Sequence, residues 1–104
     1  MRSEKEEKMT SKQRAKLRAY ASDIEPIFQI GKGNLSDNQL DGIAAALNKR
    51  ELIKINVLKG CDYTADELIG VLAAQLGAEP VAAIGNKIIL YRRSSDESVN
   101  HIQL

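Results

Sequence analysis

Three observations predict an α/β fold: a single compact domain in which an N-terminal helix precedes β-α-β-α-β-β, closing on a mixed four-stranded sheet. The apolar period switches repeatedly between 3.6 residues and two along the chain. Boxes of the form Ser/Thr-x-x-Gln/Glu precede two of the helical stretches. A Gly-Asn pair joins the last two strand-like runs, and its glycine accepts the positive φ of a type II′ hairpin turn.

The elements follow in order. From Ser11 onward, Leu17, Tyr20, Ala21 and Ile24 share one helical face, with Ser11 as N-cap. Pro26 disfavours helix at Glu25 and closes the segment. Residues 27–30 form a short strand. Ser36 and Gln39 open a second helix whose apolar face is Leu40, Ile43, Ala44 and Leu47. In "LIKINVL", Ile53, Ile55 and Val57 alternate with Lys54 and Asn56, the period of a strand. Thr64 and Glu67 open a third helix with Leu68, Ile69, Leu72 and Leu76 inside, and Gly77 ends it in left-handed geometry. "VAAI" and "IILYR", joined by "GNK", make the hairpin. Each β-α-β step predicts a right-handed crossover between parallel strands, leaving the final strand antiparallel.

A chain of 104 residues is one small domain with tails. Residues 1–10, with "MRSEKEEK", lack an apolar anchor and predict a disordered N-terminal tail. Residues 11–93 are the folded domain. Residues 94–104 predict a flexible C-terminal tail in which only Val99, Ile102 and Leu104 dock weakly. The lone Cys61 excludes a disulfide framework within the chain, and with no signal peptide this predicts a cytoplasmic protein. No apolar run approaches the ~20 residues of a membrane helix.

Charge and aromatic content narrow the functions available. The net charge is +1, but residues 9–93 hold twelve Lys/Arg against nine Asp/Glu. Such an excess serves nucleic-acid binding only if gathered on one face. Tyr20, Phe28, Tyr63 and Tyr91 are the only aromatics, and most belong in the core, which argues against a site built mainly on base stacking.

"IFQIGKGNLSDNQL" carries the main functional signal. Gly31-Lys32-Gly33-Asn34 follows a strand and precedes a capped helix, where backbone N–H groups and the helix dipole hold phosphate. A Walker A loop is excluded by spacing and by the missing Lys-Ser/Thr pair. The dinucleotide fingerprint needs a third glycine where Ser36 stands, and the second strand ends at Leu58-Lys59-Gly60 without its acidic residue. What remains is a GxxG-like clamp on a nucleic-acid backbone, with Asn in the fourth position, a residue that tolerates left-handed geometry. An ordinary tight bend fits the same glycines.

Other cations are placed to extend such a clamp. The first helix carries Lys12, Arg14, Lys16 and Arg18, with no acid among residues 8–22. Lys54 points away from the apolar side of its strand, Lys87 falls in the hairpin loop, and Arg92 and Arg93 end the last strand. Helix and turn, adjacent in sequence, would form one continuous strip; ordinary solvated surface is the alternative.

Catalytic signals are missing. His101, the only histidine, falls in the expected tail, so no His-based acid/base pair arises. Cys61 in "KGCDY" reads as a packed or idle thiol. Asp37, Asp66 and Glu67 sit at helix starts, where the dipole accounts for them. No metal-ligand spacing occurs. The chain is expected to have no enzymatic activity, cofactor, metal or small-molecule substrate.

"LRAYASDIEPIFQIGKGNLSDNQLDGIAAALNKRELIKINVL" and "VAAIGNKIILYRR" together resemble the YhbY/CRM family, from about Ser11 to Arg93. The resemblance implies a fold similar to the C-terminal domain of translation initiation factor three. It also implies an RNA-binding protein associated with large-ribosomal-subunit precursors, whose partner is ribosomal RNA. The family's loop falls on Gly31, Lys32, Gly33 and Asn34, its last glycine replaced here, and the "ELIK" and "LYR" matches imply that Lys54 and Arg92 face RNA. A monomer is expected. The rival is a protein-interaction module that docks on a ribosomal protein without direct RNA recognition.

Overall fold

The structure is a computed structural model that describes residues 9–33 and 35–104; residues 1–8 of the expected 1–10 tail and the Asn34 position lie outside the described residues. Met9 and Thr10 of that tail join the fold, Met9 against the core and Thr10 as a helix cap. The elements are α1 (Ser11–Ala21), β1 (Phe28–Ile30), α2 (Asp37–Arg50), β2 (Leu52–Val57), α3 (Ala65–Leu76), β3 (Glu79–Ile84) and β4 (Lys87–Tyr91). Their order is the one expected.

Among the described residues, all three helices begin with a capping box. Ser36 with Gln39 and Thr64 with Glu67 are as expected. At α1 the cap is Thr10 rather than Ser11. The reason is the third residue on: from Thr10 it is Gln13, whose amide oxygen accepts from the Thr10 N–H at 3.1 Å, whereas from Ser11 it is Arg14, which has no acceptor. The helix also stops at Ala21, well before Pro26. Ser22 donates its hydroxyl to the Ala19 carbonyl at 2.7 Å, and the chain turns toward β1.

The sheet order is β1-β2-β4-β3. β1 runs parallel to β2, in register Phe28↔Ile55 and Ile30↔Val57. β4 is antiparallel to both neighbours and lies between them. Gly85 takes φ +60 in the hairpin, and the turn is Gly85-Asn86 alone. Lys87, expected in that loop, is the first residue of β4. An extra residue in β3 between Pro80 and Ala82 turns Val81 toward α1.

Both sheet faces carry core. Ile53, Ile55, Ile88 and Leu90 pack against Ile43 and Leu47 of α2 and Leu68 and Leu72 of α3. On the other face Leu17 and Ala21 of α1 pack against Leu52, Val81, Ile89 and Tyr91. Each such fully buried aliphatic contributes about 1.5–3 kcal/mol relative to exposure. Because α1 covers only that end of its face, the rest presents Gln29, Lys54, Asn56 and Lys87, none of them buried.

The C-terminal segment corrects an expectation. Residues 94–104 have no helix or strand, yet they are fastened, not loose. Ser94 is buried and Ser95 donates its N–H to Asn48 Oδ1 at 3.0 Å. Farther along, His101 and Ile102 bond to the carboxylate of Glu51. Ile102 also packs against the α1 core.

Candidate nucleic-acid interface

Parallel pairing places the carboxyl ends of β1 and β2 side by side, and two loops leave from that end. The Leu58 N–H donates to the Ile30 carbonyl at 2.8 Å, tying the two exits together. The loops then touch: a Cβ on Gly60 would lie 3.9 Å from Lys32 Cβ, and one on Gly31 would lie 3.4 Å from Leu58 Cδ1. Gly33 takes φ +94, a geometry that side chains rarely adopt. Beyond the turn, the Gln39 side chain donates to the Gln29 carbonyl at 3.3 Å and pins the first turn of α2 beside β1.

Cations collect at this end. Lys32 and Lys59 are exposed. Lys87 stands opposite Asn56 in the ladder, and its Nζ donates to Asn86 Oδ1 at 3.0 Å. Asn86 in turn donates to Asn56 Oδ1 at 2.9 Å. Lys59 was missed at the level of sequence; the parallel register of β1 and β2 is what puts "LKG" against "GKG".

The remaining expected residues divide three ways. Lys54 lies on the open sheet face, partway along β2 and half-buried. Lys12, Arg14, Lys16 and Arg18 sit on α1, which lies over the opposite end of the strands, about 17 Å from the glycine turn at ~3.3 Å per residue. The continuous strip expected of helix and turn is therefore not formed by direct contact; Lys54 and Lys87 stand between them. Within α1, Tyr20 lines a hollow with Leu52 and Ile102, and Arg18, exposed, is about 160° round the helix from it. Arg14 donates Nε to the Pro80 carbonyl at 3.4 Å, which draws it to the β3 edge.

Arg92 departs from its expected role. It lies on the α2/α3 side of the sheet and donates to the Leu76 carbonyl at 2.7 Å and the Ala44 carbonyl at 2.9 Å. Its guanidinium thereby joins the C-terminal end of α3 to the middle of α2. Strand alternation puts it on the face opposite Lys54, and the helical layer there supplies acceptors.

His101 is not in a free tail. Its Nδ1 is hydrogen-bonded to Glu51, a fully buried carboxylate. Burial works to raise the Glu51 pKa, but hydrogen bonds from His101 and from the amides of Ser94 and Ile102 together hold it below its ordinary value. The pair fastens the C-terminal segment. Among the described residues, no group of three or more His, Cys, Asp and Glu stands ready to hold a metal, and no helix is long and apolar enough to cross a membrane.

A hollow of about 780 Å³ lies at the α1 end, beside Ile24, Ile27 and Leu52. Arg50 is its one cation. The charge, the positive-φ glycine and the paired strand ends all lie elsewhere, and they define the candidate site.

Comparison with known proteins agrees in extent with this domain. The CRS1/YhbY (CRM) domain matches residues 9–92. "Probable RNA-binding protein YqeI" of Bacillus subtilis is 41% identical over 88 residues, covering 85% of this chain and 92% of that protein. An "RNA-binding protein" of Haemophilus influenzae is 30% identical over 91 residues, covering 88% and 92%. The solution structure of the Staphylococcus aureus hypothetical protein SAV1595, described as a candidate RNA binder, superposes with TM-score 0.66 at 37% identity, covering 91% of this chain and 100% of that one.

Proposed function

We propose, starting from the fact that this chain belongs to the CRS1/YhbY (CRM) family, that it is an RNA-binding protein acting on ribosomal RNA of large-subunit precursors during ribosome assembly. The observation that carries this reading is the meeting of Lys32, Lys59 and Lys87 with the Gly31–Gly33 turn at the joined ends of β1 and β2. Relatives at 41% and 30% identity bear RNA-binding names, which supports the same partner.

The mechanism is passive. Lysines and backbone amides at the turn neutralise successive phosphates, and Lys54 with Arg18 continues the track across the open sheet face toward Lys12 and Lys16. No covalent bond changes. With few aromatics, recognition rests chiefly on RNA shape and backbone, and one folding intermediate of the RNA is stabilised by being held. A likeness to the C-terminal domain of translation initiation factor three, a cytoplasmic location and a monomeric state belong to the same reading.

A second reading, docking on a ribosomal protein, draws on the hollow between Tyr20, Ile27 and Leu52, where Tyr20 and Ile27 are exposed. Crosslinking in cells followed by sequencing of the attached RNA separates the two. Enrichment of one ribosomal RNA element is expected; recovery of protein crosslinks at Ile27 without RNA enrichment would support the second reading instead.

A further inference from the structure

We propose that the groove beside Gly33 receives one unpaired base of the bound strand, favouring a base with an exocyclic amino group; this rests on the RNA-binding reading above. The groove is about 400 Å³ and opens between the first turn of α2 and the length of α3 from Glu67 to Gln75. That size lies within the ~300–1,000 Å³ of small-ligand clefts. A single turn of helix, about 10 Å across and 5.4 Å long, would already fill it, so a docked helix is a poor match.

Its floor is the apolar side chains of Ile30, Leu40 and Leu68, while Tyr63 and Val71 on its walls are 53% and 50% exposed. Tyr63 is thus an available ring. Apolar surface left open inside one concavity marks a binding site more often than a bare surface does. A nucleobase has two apolar faces for such walls and a polar edge for the mouth.

The mouth has the charge that a base edge needs and a phosphate does not. Asp37 and Glu67 border the groove. Glu67 is held in place because its Oε1 accepts the Thr64 N–H at 2.8 Å. Two carboxylates repel phosphate, which stays at Lys32 and Lys59 on the other side of the turn, so the base is the part of the nucleotide that enters. A carboxylate accepts hydrogen bonds and cannot donate them. Cytosine offers an amino group where uracil offers a carbonyl, so cytosine is favoured.

The test uses the full chain and fluorescence anisotropy at one salt concentration, with equal-length single strands of oligocytidine, oligouridine and an abasic ribose-phosphate oligomer. Oligocytidine is expected to bind about tenfold tighter than the abasic strand, the scale of stacking one base, and about fivefold tighter than oligouridine. Val71→Trp fills the groove without changing charge. It should reduce oligocytidine to the abasic level and leave the abasic strand unaffected; Tyr63→Ala should act in the same direction. Glu67→Gln, which keeps an acceptor for the cap, should remove the preference for cytosine over uracil. Wild-type protein that binds all three strands equally, with Val71→Trp silent, overturns the base site and leaves RNA binding intact. Oligocytidine binding that Val71→Trp leaves unchanged also overturns it. Failure of every strand to bind removes the RNA-binding reading itself.

Discussion

The Ile102 N–H donates to Glu51 Oε1 at 2.8 Å, joining residues 51 positions apart. Glu51 adopts φ +68 at the junction of α2 and β2, the one positive-φ residue other than glycine among those described. Its other oxygen accepts the Ser94 N–H at 2.8 Å and meets His101 Nδ1. One buried carboxylate thus holds both ends of the C-terminal segment against the fold, while the backbone at this unusual angle donates its N–H to the Leu47 carbonyl at 2.8 Å and accepts the Arg92 N–H at 2.9 Å.

Glu51 should make stability fall in acid. Its folded-state pKa is below the ordinary value of 4.5, so the stabilisation is fully present above that value and is lost as pH falls through the lowered folded pKa. Glu51→Gln should cost about 1–3 kcal/mol at neutral pH, because its one remaining acceptor oxygen serves only one of the Ser94 and Ile102 amides while its NH2 faces the other, and should flatten the acid limb of a Tm-versus-pH curve. An unchanged acid limb in the variant would assign that limb to other carboxylates.

Arg92→Ala should separate folding from binding. Two charge-assisted bonds to the Leu76 and Ala44 carbonyls are lost, at a cost of about 1.5–3 kcal/mol each if left unsatisfied. RNA affinity measured well below the melting temperature should hold within twofold. Unaltered denaturant midpoint with weakened binding would return Arg92 to the RNA face.

Gly33→Val should lower both stability and RNA affinity. A Cβ there meets nothing within 4 Å, so the penalty is conformational, from φ +94, and amounts to about 1–3 kcal/mol. Gly31→Ala is the control: its Cβ meets Leu58 Cδ1 at an ordinary 3.4 Å, and its effect on urea midpoint should be much smaller. Equal midpoints for both variants would mean that the turn relaxes freely.

Lys32→Glu should reduce affinity for single-stranded RNA at least tenfold. Thermal stability should stay within about 0.5 kcal/mol, since Lys32 is exposed and away from the core. Wild-type affinity in this variant would take the turn out of the interface.

What the sequence made legible was local. The boxes at Ser36 and Thr64, the alternation over Ile53–Val57 and the Gly85 turn each depend on residues a few positions apart. Thr10 was misplaced by one position because two hydroxyl residues adjoin, and only the reach of Gln13 decides between them. Distant partners were not legible. Nothing near Ser94 or His101 in the chain announces Glu51, and nothing near Arg92 announces the carbonyls of Ala44 and Leu76. Lys59 became visible only once β1 and β2 were paired in parallel. In each case the deciding term is which face or strand end a residue reaches, and that is set by register.

The most direct measurement of the central claim is the salt dependence of binding to single-stranded RNA by wild type and by the Lys32→Gln/Lys59→Gln double variant. Each neutralised phosphate contributes about −0.7 to the slope of log Kobs against log salt. The account predicts a steep negative slope for wild type and one shallower by about 1.4 for the variant. Parallel lines for the two proteins, or a flat line for wild type, would contradict it.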